Sequence, residues 1–225
     1  MNNCYQDELK AFAIENGAQI VGFCQLPASP VKDQPSLTYA ISIGVKLSDA
    51  ILKTIQEAPS FAYFHHYRTA NTLLDSIAFR LTQRVEALGF NALPIAASQS
   101  LGKENKYSGI FPHKTAAVLS GLGFVGKSGL FISESFGSKV RLATVLTDMP
   151  LKAEKPIIEN GCGSCSLCFE NCPAGALFNQ LPTANGERNF DPEKCSRYMK
   201  DNFQDIGRGS VCGICIKVCP KNKLR

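Results

Sequence analysis

The run Cys162-Gly-Ser-Cys165-Ser-Leu-Cys168-Phe-Glu-Asn-Cys172-Pro173 places four thiols in one short stretch and closes it with a proline. Three closely spaced thiolates are what a tight turn needs to aim sulfurs at three corners of one iron–sulfur cube, while the fourth reaches across to a second cube. Pro173 ends the local turn and removes a competing amide donor. A two-cluster module needs eight thiolates, so four more ligands must lie elsewhere in the chain.

A second group, Cys212-Gly-Ile-Cys215-Ile-Lys-Val-Cys219-Pro220, is one thiol short, with glycine at position 209 where a leading cysteine would stand. Cys195, between the groups, fills the gap. The crossed assignment puts Cys162, Cys165, Cys168 and Cys219 on one [4Fe-4S] cluster and Cys172, Cys195, Cys212 and Cys215 on the other. Disulfides are disfavoured because no secretory signal opens the chain and the spacing is of the metal-binding kind. Paired CxxC elements also suit structural zinc, but three cysteines followed by Cys-Pro make poor tetrahedral and good cube geometry. Of the two cysteines outside the set, Cys24 follows an apolar strand and reads as buried packing, and Cys4 as an incidental terminal thiol.

The 225 residues are enough for one sizeable core and a small second module. No apolar run reaches membrane-spanning length, and so many metal-binding thiols belong in a reduced cytoplasm. The formal charge of +5 is offset when two cubes of about −2 each are bound, leaving roughly +1. The basic excess thus compensates the clusters, and no dense Lys/Arg stripe or aromatic platform marks a nucleic-acid surface.

Hydrophobic periodicity predicts a helix over residues 4–16 ended by Gly17, strands at 19–23 and 37–45, a helix over 49–57, and a long helix over 64–88 closed by Gly89. A strand at 91–96 follows. Pro112 opens a short helix through residues 113–120, and strands follow at 129–133 and 140–147. Residues 1–150 form a layered α/β domain and residues 151–225 the cluster domain. Within the latter, residues 174–178 are expected to be helical. Asp191 and Pro192 are expected to open a helix whose first turns carry Cys195, with backbone amides and the helix dipole favouring its thiolate.

The segment 121–128 (GLGFVGKS) satisfies both GxGxxG and the phosphate-binding GxxxxGKS patterns. A nucleotide loop must leave a strand and enter a helix, and here a helix precedes and a strand follows. Gly121, Gly123 and Gly126 instead suit a close approach of the backbone to another element or to a flat ligand, and Lys127 either neutralises an anionic ligand or faces solvent. His65 and His66, in an aromatic patch (YFHHY), are candidates for the wall of a cofactor site, against the alternative that one caps or packs and the other is exposed. His113 and Lys114 are the candidate proton donors.

Together, residues 113–130 (HKTAAVLSGLGFVGKSGL), 136–142 (FGSKVRL), Thr147-Asp148, 162–177, 194–198 (KCSRY) and 212–222 (CGICIKVCPKN) closely resemble the epoxyqueuosine reductase family, itself similar to the corrinoid reductive dehalogenases. The resemblance implies an α-β-α layered, nitroreductase-like N-terminal domain that binds cobalamin, joined to a ferredoxin-like domain with two [4Fe-4S] clusters that feed it electrons. It places the corrinoid against the 121–129 turn and the strands that follow. It implies a reduced flavodoxin or ferredoxin-like donor and a small-molecule substrate. Where the family commonly carries an aspartate before the glycine turn, this chain has Ile110–Lys114 (IFPHK), which puts His113 or Lys114 in that space. The chain ends soon after Cys219, without the helical extension by which full-length members hold tRNA. The leading expectation is therefore an iron–sulfur oxidoreductase acting through a corrinoid or other flat cofactor. Epoxyqueuosine reduction on tRNA comes second, and a non-enzymatic electron carrier is the distinct alternative.

Overall fold

The structure is a computed structural model that describes residues 2–99, 101–102, 107–156, 161–182 and 188–222. Its elements are α1 (Asn2–Glu15), β1 (Ile20–Gln25), β2 (Tyr39–Lys46), α2 (Asp49–Lys53), α3 (Phe61–Ala87), β3 (Ala92–Ile95), α4 (His113–Leu119), β4 (Gly123–Val125), β5 (Phe131–Ser133), β6 (Val140–Thr147), α5 (Leu167–Glu170), α6 (Pro192–Phe203), α7 (Ile214–Lys217) and a 3-10 turn at Pro220–Asn222. They form two compact units. One comprises Met1–Lys46, Ala70–Gly123 and Arg141–Ile157, and the other Leu47–Thr69, Phe124–Val140 and Ile158–Arg225. The division is interleaved, where the sequence reading places one boundary near residue 150.

The first unit is built on a sheet of order β1-β2-β6-β3. β1 pairs antiparallel with β2, Ile20 opposite Gly44 and Gln25 opposite Tyr39, and β3 pairs antiparallel with β6, Ala92 opposite Thr147. Strand alternation sorts the side chains into two cores. Val21, Phe23, Ile41, Ile43, Val45, Ala143 and Val145 face Leu9 and Ala13 of α1 and Leu74, Ile77, Leu81 and Val85 of α3. Cys24, Ala40, Ile95 and Leu146 lie in a second core with Phe111 and with Ala116 of α4. Helices thus cover both faces of the sheet, the α-β-α layering expected. This explains why β2 and β6 read as nearly continuous apolar runs. A Cβ at Gly22 would lie 2.7 Å from the Ser120 Cβ, so glycine is what lets the end of α4 press onto β1.

Two helix bounds differ from expectation for local reasons. α3 starts before residue 64 because the Ser60 hydroxyl accepts the Tyr63 amide at 3.0 Å, an N-terminal cap. α2 stops at Lys53 rather than continuing to 57, since Pro59 follows closely and the residue before a proline avoids the helical region. Gly89 closes α3 as expected, at φ +88°.

In the second unit β4 and β5 form a small sheet. Asp191 caps α6, its carboxylate accepting the Lys194 amide at 2.9 Å, with Pro192 in the first turn. Residues 174–178 are not helical. Gly175 sits at φ +56°, Leu177 bridges antiparallel to Phe190, and the amides of Phe178 and Asp191 donate to the carbonyls of Asn189 and Ala176. With Pro173 before it and left-handed Gly175 within it, the segment satisfies its amides across a short ladder instead of along a helix.

Candidate iron–sulfur centre

The cysteines of the second unit are brought close by three short devices. The 162–165 turn closes with the Cys165 amide donating to the Cys162 carbonyl at 3.0 Å, α5 carries Cys168, and left-handed Gly213 at φ +81° leads into α7 with Cys215. Cys195 lies in the first turn of α6, its amide donating to the Asp191 carbonyl at 3.1 Å. All eight are half-buried.

Their electrostatics sort them into two sets. Burial pushes the Cys168 thiol up, and the charges of Cys162, Cys165 and Cys219 push in the same direction. Burial also pushes Cys195 up, to about 11, with Cys172, Cys212 and Asp191 adding to it. Cys215 is raised by burial and by Cys212, Cys195 and Cys172 ahead of Cys168. In the metal-free chain, burial, with Cys172, Cys212 and Asp191 acting in the same direction, therefore runs against the expectation that the helix N-terminus favours the Cys195 thiolate. Amide donors partly offset the crowding: Phe169 to the Cys168 sulfur, Ile214 to Cys212, and the Ala176 amide to the Cys172 Sγ at 3.4 Å.

Half-buried thiols crowded together are costly as thiolates, and an iron–sulfur cube supplies positive charge among them, so the donor set fits clusters. Among the described residues, no three His, Cys, Asp or Glu side chains close tightly enough to hold a single metal ion. A cube spaces its thiolates more widely than one ion does, because iron and sulfide stand between them.

The glycine-rich segment does not run from a strand into a helix. It contains β4, with α4 before it and β5 after it. Asp148, which could pose as a magnesium-binding acid, accepts from the Asn91 amide at 2.8 Å and from the Asn91 side chain at 2.6 Å. Protein atoms fill the space beside the glycines. A Cβ at Gly121 would meet the Lys155 carbonyl at 2.6 Å, one at Gly126 would meet Ile132 at 2.9 Å and the Cys162 Sγ at 3.2 Å, and one at Gly129 would meet Phe190 at 2.7 Å. Gly123, at φ +157°, is buried in β4. At Gly121, Gly126 and Gly129 the missing side chain is what permits close protein packing on that side. A polar cleft of about 180 Å3 lined by Gln6, Asp7, Lys152, Ala153 and Glu154 is also below the ~300–1,000 Å3 of sites that enclose a drug-sized ligand.

The other nominated residues are placed as follows. Lys127 Nζ donates to the Cys165 carbonyl at 3.1 Å. His66 Nε2 accepts the Ser48 amide at 2.9 Å at the start of α2, and burial holds its pKa below the usual histidine value. His65 meets Phe64 edge-on. His113 is tied at both nitrogens, Nδ1 to the Thr144 hydroxyl and Nε2 to the Ala96 carbonyl, each at 2.9 Å. A carbonyl only accepts, so Nε2 carries the proton and Nδ1 accepts from Thr144. Burial lowers the His113 pKa, with Arg141 acting in the same sense. Lys114 is half-buried beside it. The sequence reading missed the role of the aromatic patch: Tyr63 is fully buried against Gly213, and the Phe64 ring packs on Gly207. The small residues at 207 and 213 were the available signal.

Residues 161–222 match the family described as a 4Fe-4S double cluster binding domain. The chain is 33% identical over 116 residues to the epoxyqueuosine reductase of Lactococcus garvieae (strain Lg2), covering 48% of this chain and 31% of that one. It spans about a third of the length of the curated relatives it matches. Its fold is similar to that of an epoxyqueuosine reductase solved with a tRNA-Tyr epoxyqueuosine-modified stem loop, with TM-score 0.68, 18% identity, and coverage of 99% of this chain and 66% of that one. A structure described as suggesting a mechanism for B12-dependent reductive dehalogenation matches with TM-score 0.77 and 24% identity, over 96% of this chain and 31% of that one. No helix among the described residues is long and apolar enough to cross a membrane. With an α/β domain of the epoxyqueuosine-reductase type and a C-terminal double-cluster domain, the chain is a relative of the epoxyqueuosine reductases and the corrinoid reductive dehalogenases.

Proposed function

We propose that the chain works as a two-cluster iron–sulfur reductase of the epoxyqueuosine-reductase kind. Cys162, Cys165, Cys168 and Cys219 hold one [4Fe-4S] cluster, and Cys172, Cys195, Cys212 and Cys215 hold the other. The observation that carries this reading is the sorting of the thiols into two sets of electrostatic neighbours that match the crossed ligand pattern. When bound, the clusters supply one-electron storage. The chain's own part is to supply thiolates, donate amides to their sulfurs, and shield them from water.

Reductive removal of an epoxide oxygen as water takes two electrons and two protons, and two one-electron clusters hold the electron pair. A reduced flavodoxin or ferredoxin-like protein is the fitting donor. The epoxyqueuosine reading is preferred over a free-standing corrinoid reductase because epoxyqueuosine reductases predominate among the curated relatives. Cobalamin enters through the likeness to the B12-dependent fold alone. No step is routed through it. His113, with both nitrogens engaged, is not assigned the proton transfer.

The test is anaerobic incubation of the cluster-loaded chain with dithionite, with and without cobalamin, and an epoxyqueuosine-modified tRNA stem loop, read by mass spectrometry. Loss of one oxygen from the modified base is the expected result. Fully reduced clusters with the base unchanged in both arms would overturn the assignment.

A further inference from the structure

The glycine–lysine turn that imitates a nucleotide loop is packed against the first cysteine group. Gly126 leaves room for the Cys162 sulfur and for Ile132, its carbonyl accepts the buried Asn189 side chain at 3.0 Å, and its amide donates to the Leu130 carbonyl at 2.9 Å. Gly129 closes the turn with its amide on the Gly126 carbonyl at 2.9 Å. The backbone of Lys127 is thereby fixed between two anchored glycines. Its ammonium ends on the Cys165 carbonyl at 3.1 Å, inside the turn that carries Cys162 and Cys165. A second ammonium lies nearby, since a Cβ at Gly161, next to Cys162, would lie 3.1 Å from Lys221 Nζ. The other set of thiols has charges of both signs beside it, Asp191 near Cys195 and the Lys194 ammonium on the Gly175 carbonyl at 3.1 Å.

We infer that Lys127 is a potential-setting residue for the cluster of Cys162, Cys165, Cys168 and Cys219, holding that cluster easier to reduce than it would be without the lysine's charge. This rests on the cluster assignment proposed above. One-electron reduction adds a negative charge to an already anionic cube, and a fixed, half-buried cation stabilises the reduced form more than the oxidised one. The hydrogen bond to the Cys165 carbonyl fixes where that charge sits. Lys127 is in this sense a positioning residue that touches the cluster turn and takes no part in bond chemistry.

The experiment is an EPR-monitored redox titration of the cluster-loaded chain in wild type, Lys127→Gln and Lys127→Arg, with iron and sulfide measured on each sample. Gln keeps an N–H for the carbonyl and removes the charge, and Arg keeps both. The expected result is two midpoints in wild type. In Lys127→Gln one of them falls by about tenfold in the reduction equilibrium, ~59 mV for one electron, while the other stays and Arg restores the wild-type value. Unchanged midpoints in Lys127→Gln at full iron content, or an equal fall of both, would overturn the inference and leave the cluster assignment standing. A wild-type chain that takes up no iron and sulfide would instead overturn the assignment and this inference with it.

Discussion

Cys172 and Cys195, one on the loop before the Leu177 bridge and the other in the first turn of α6, are near enough for the charge of Cys172 to raise the Cys195 thiol. The cysteine run and the isolated thiol downstream therefore meet in space, as a shared cluster requires. Cys195→Ser is expected to cost one cluster and spare the other, lowering iron and sulfide to about half of the ~8 atoms that two cubes contain. Iron analysis with EPR of the reduced protein checks it, and full retention of both signals would remove Cys195 from the ligand set.

Asp191 has two opposed effects on the same helix. Its carboxylate caps Lys194, and its charge raises the Cys195 thiol. Asp191→Ala should cost about 1 kcal/mol of stability through the lost cap. It should also make Cys195 more acidic in the metal-free chain. Denaturant melts read the first effect, and the pH dependence of Cys195 alkylation reads the second.

Gly213 stands at φ +81° between Cys212 and Ile214, and a Cβ there would lie 2.5 Å from the Tyr63 ring. Gly213→Ala adds left-handed strain of ~1–2 kcal/mol to an overpacking cost of ~1–3 kcal/mol. The expected outcome is a lower unfolding midpoint and faster bleaching of the cluster held by Cys212 and Cys215. In a Tyr63→Ala background the same Gly213→Ala change should cost less than it does in wild type, because the ring that the new methyl meets is gone.

His66 and His113 are both held below the ordinary histidine pKa by burial, so each is neutral in the folded chain where the unfolded chain protonates. Their contribution to stability is complete above the unfolded pKa of about 6.5 and is lost as pH falls from there toward the folded values. Urea midpoints measured against pH should decline over that window. In His113→Gln the decline should be shallower, on a chain already destabilised by ~1–3 kcal/mol through the unpaired Ala96 carbonyl and Thr144 hydroxyl.

Much of the first unit was legible because its strands carry their burial in the pattern itself. Ile41, Ile43 and Val45 alternate with Ala40 and Ser42, and Gly17 and Gly89 punctuate α1 and α3. The double-cluster domain was legible for the same reason, since the spacing within each cysteine group is a local property. Contacts of long sequence separation were less so. Nothing local says that Tyr63 is buried against Gly213 or that Phe64 packs on Gly207, so the sequence left open whether the patch packs or walls a cofactor site; the structure has His66 packed on the Ser48 amide and His65 exposed. Residues 174–178 have helix-forming composition, and only the left-handed Gly175 and the pairing of Leu177 with Phe190 turn them into a ladder. The glycines of the 121–129 turn read as a close approach of the backbone to another element or to a flat ligand, and the structure puts Lys155, Ile132, Cys162 and Phe190 against them on the side where a Cβ would stand.

The most direct test of the two-cluster account is iron and sulfide analysis of the anaerobically reconstituted chain, combined with EPR after dithionite reduction. The account predicts about eight iron and eight sulfide atoms per chain and two reducible [4Fe-4S] signals. Stoichiometric zinc in place of iron, or four iron atoms with a single signal that persists in Cys195→Ser, would contradict it.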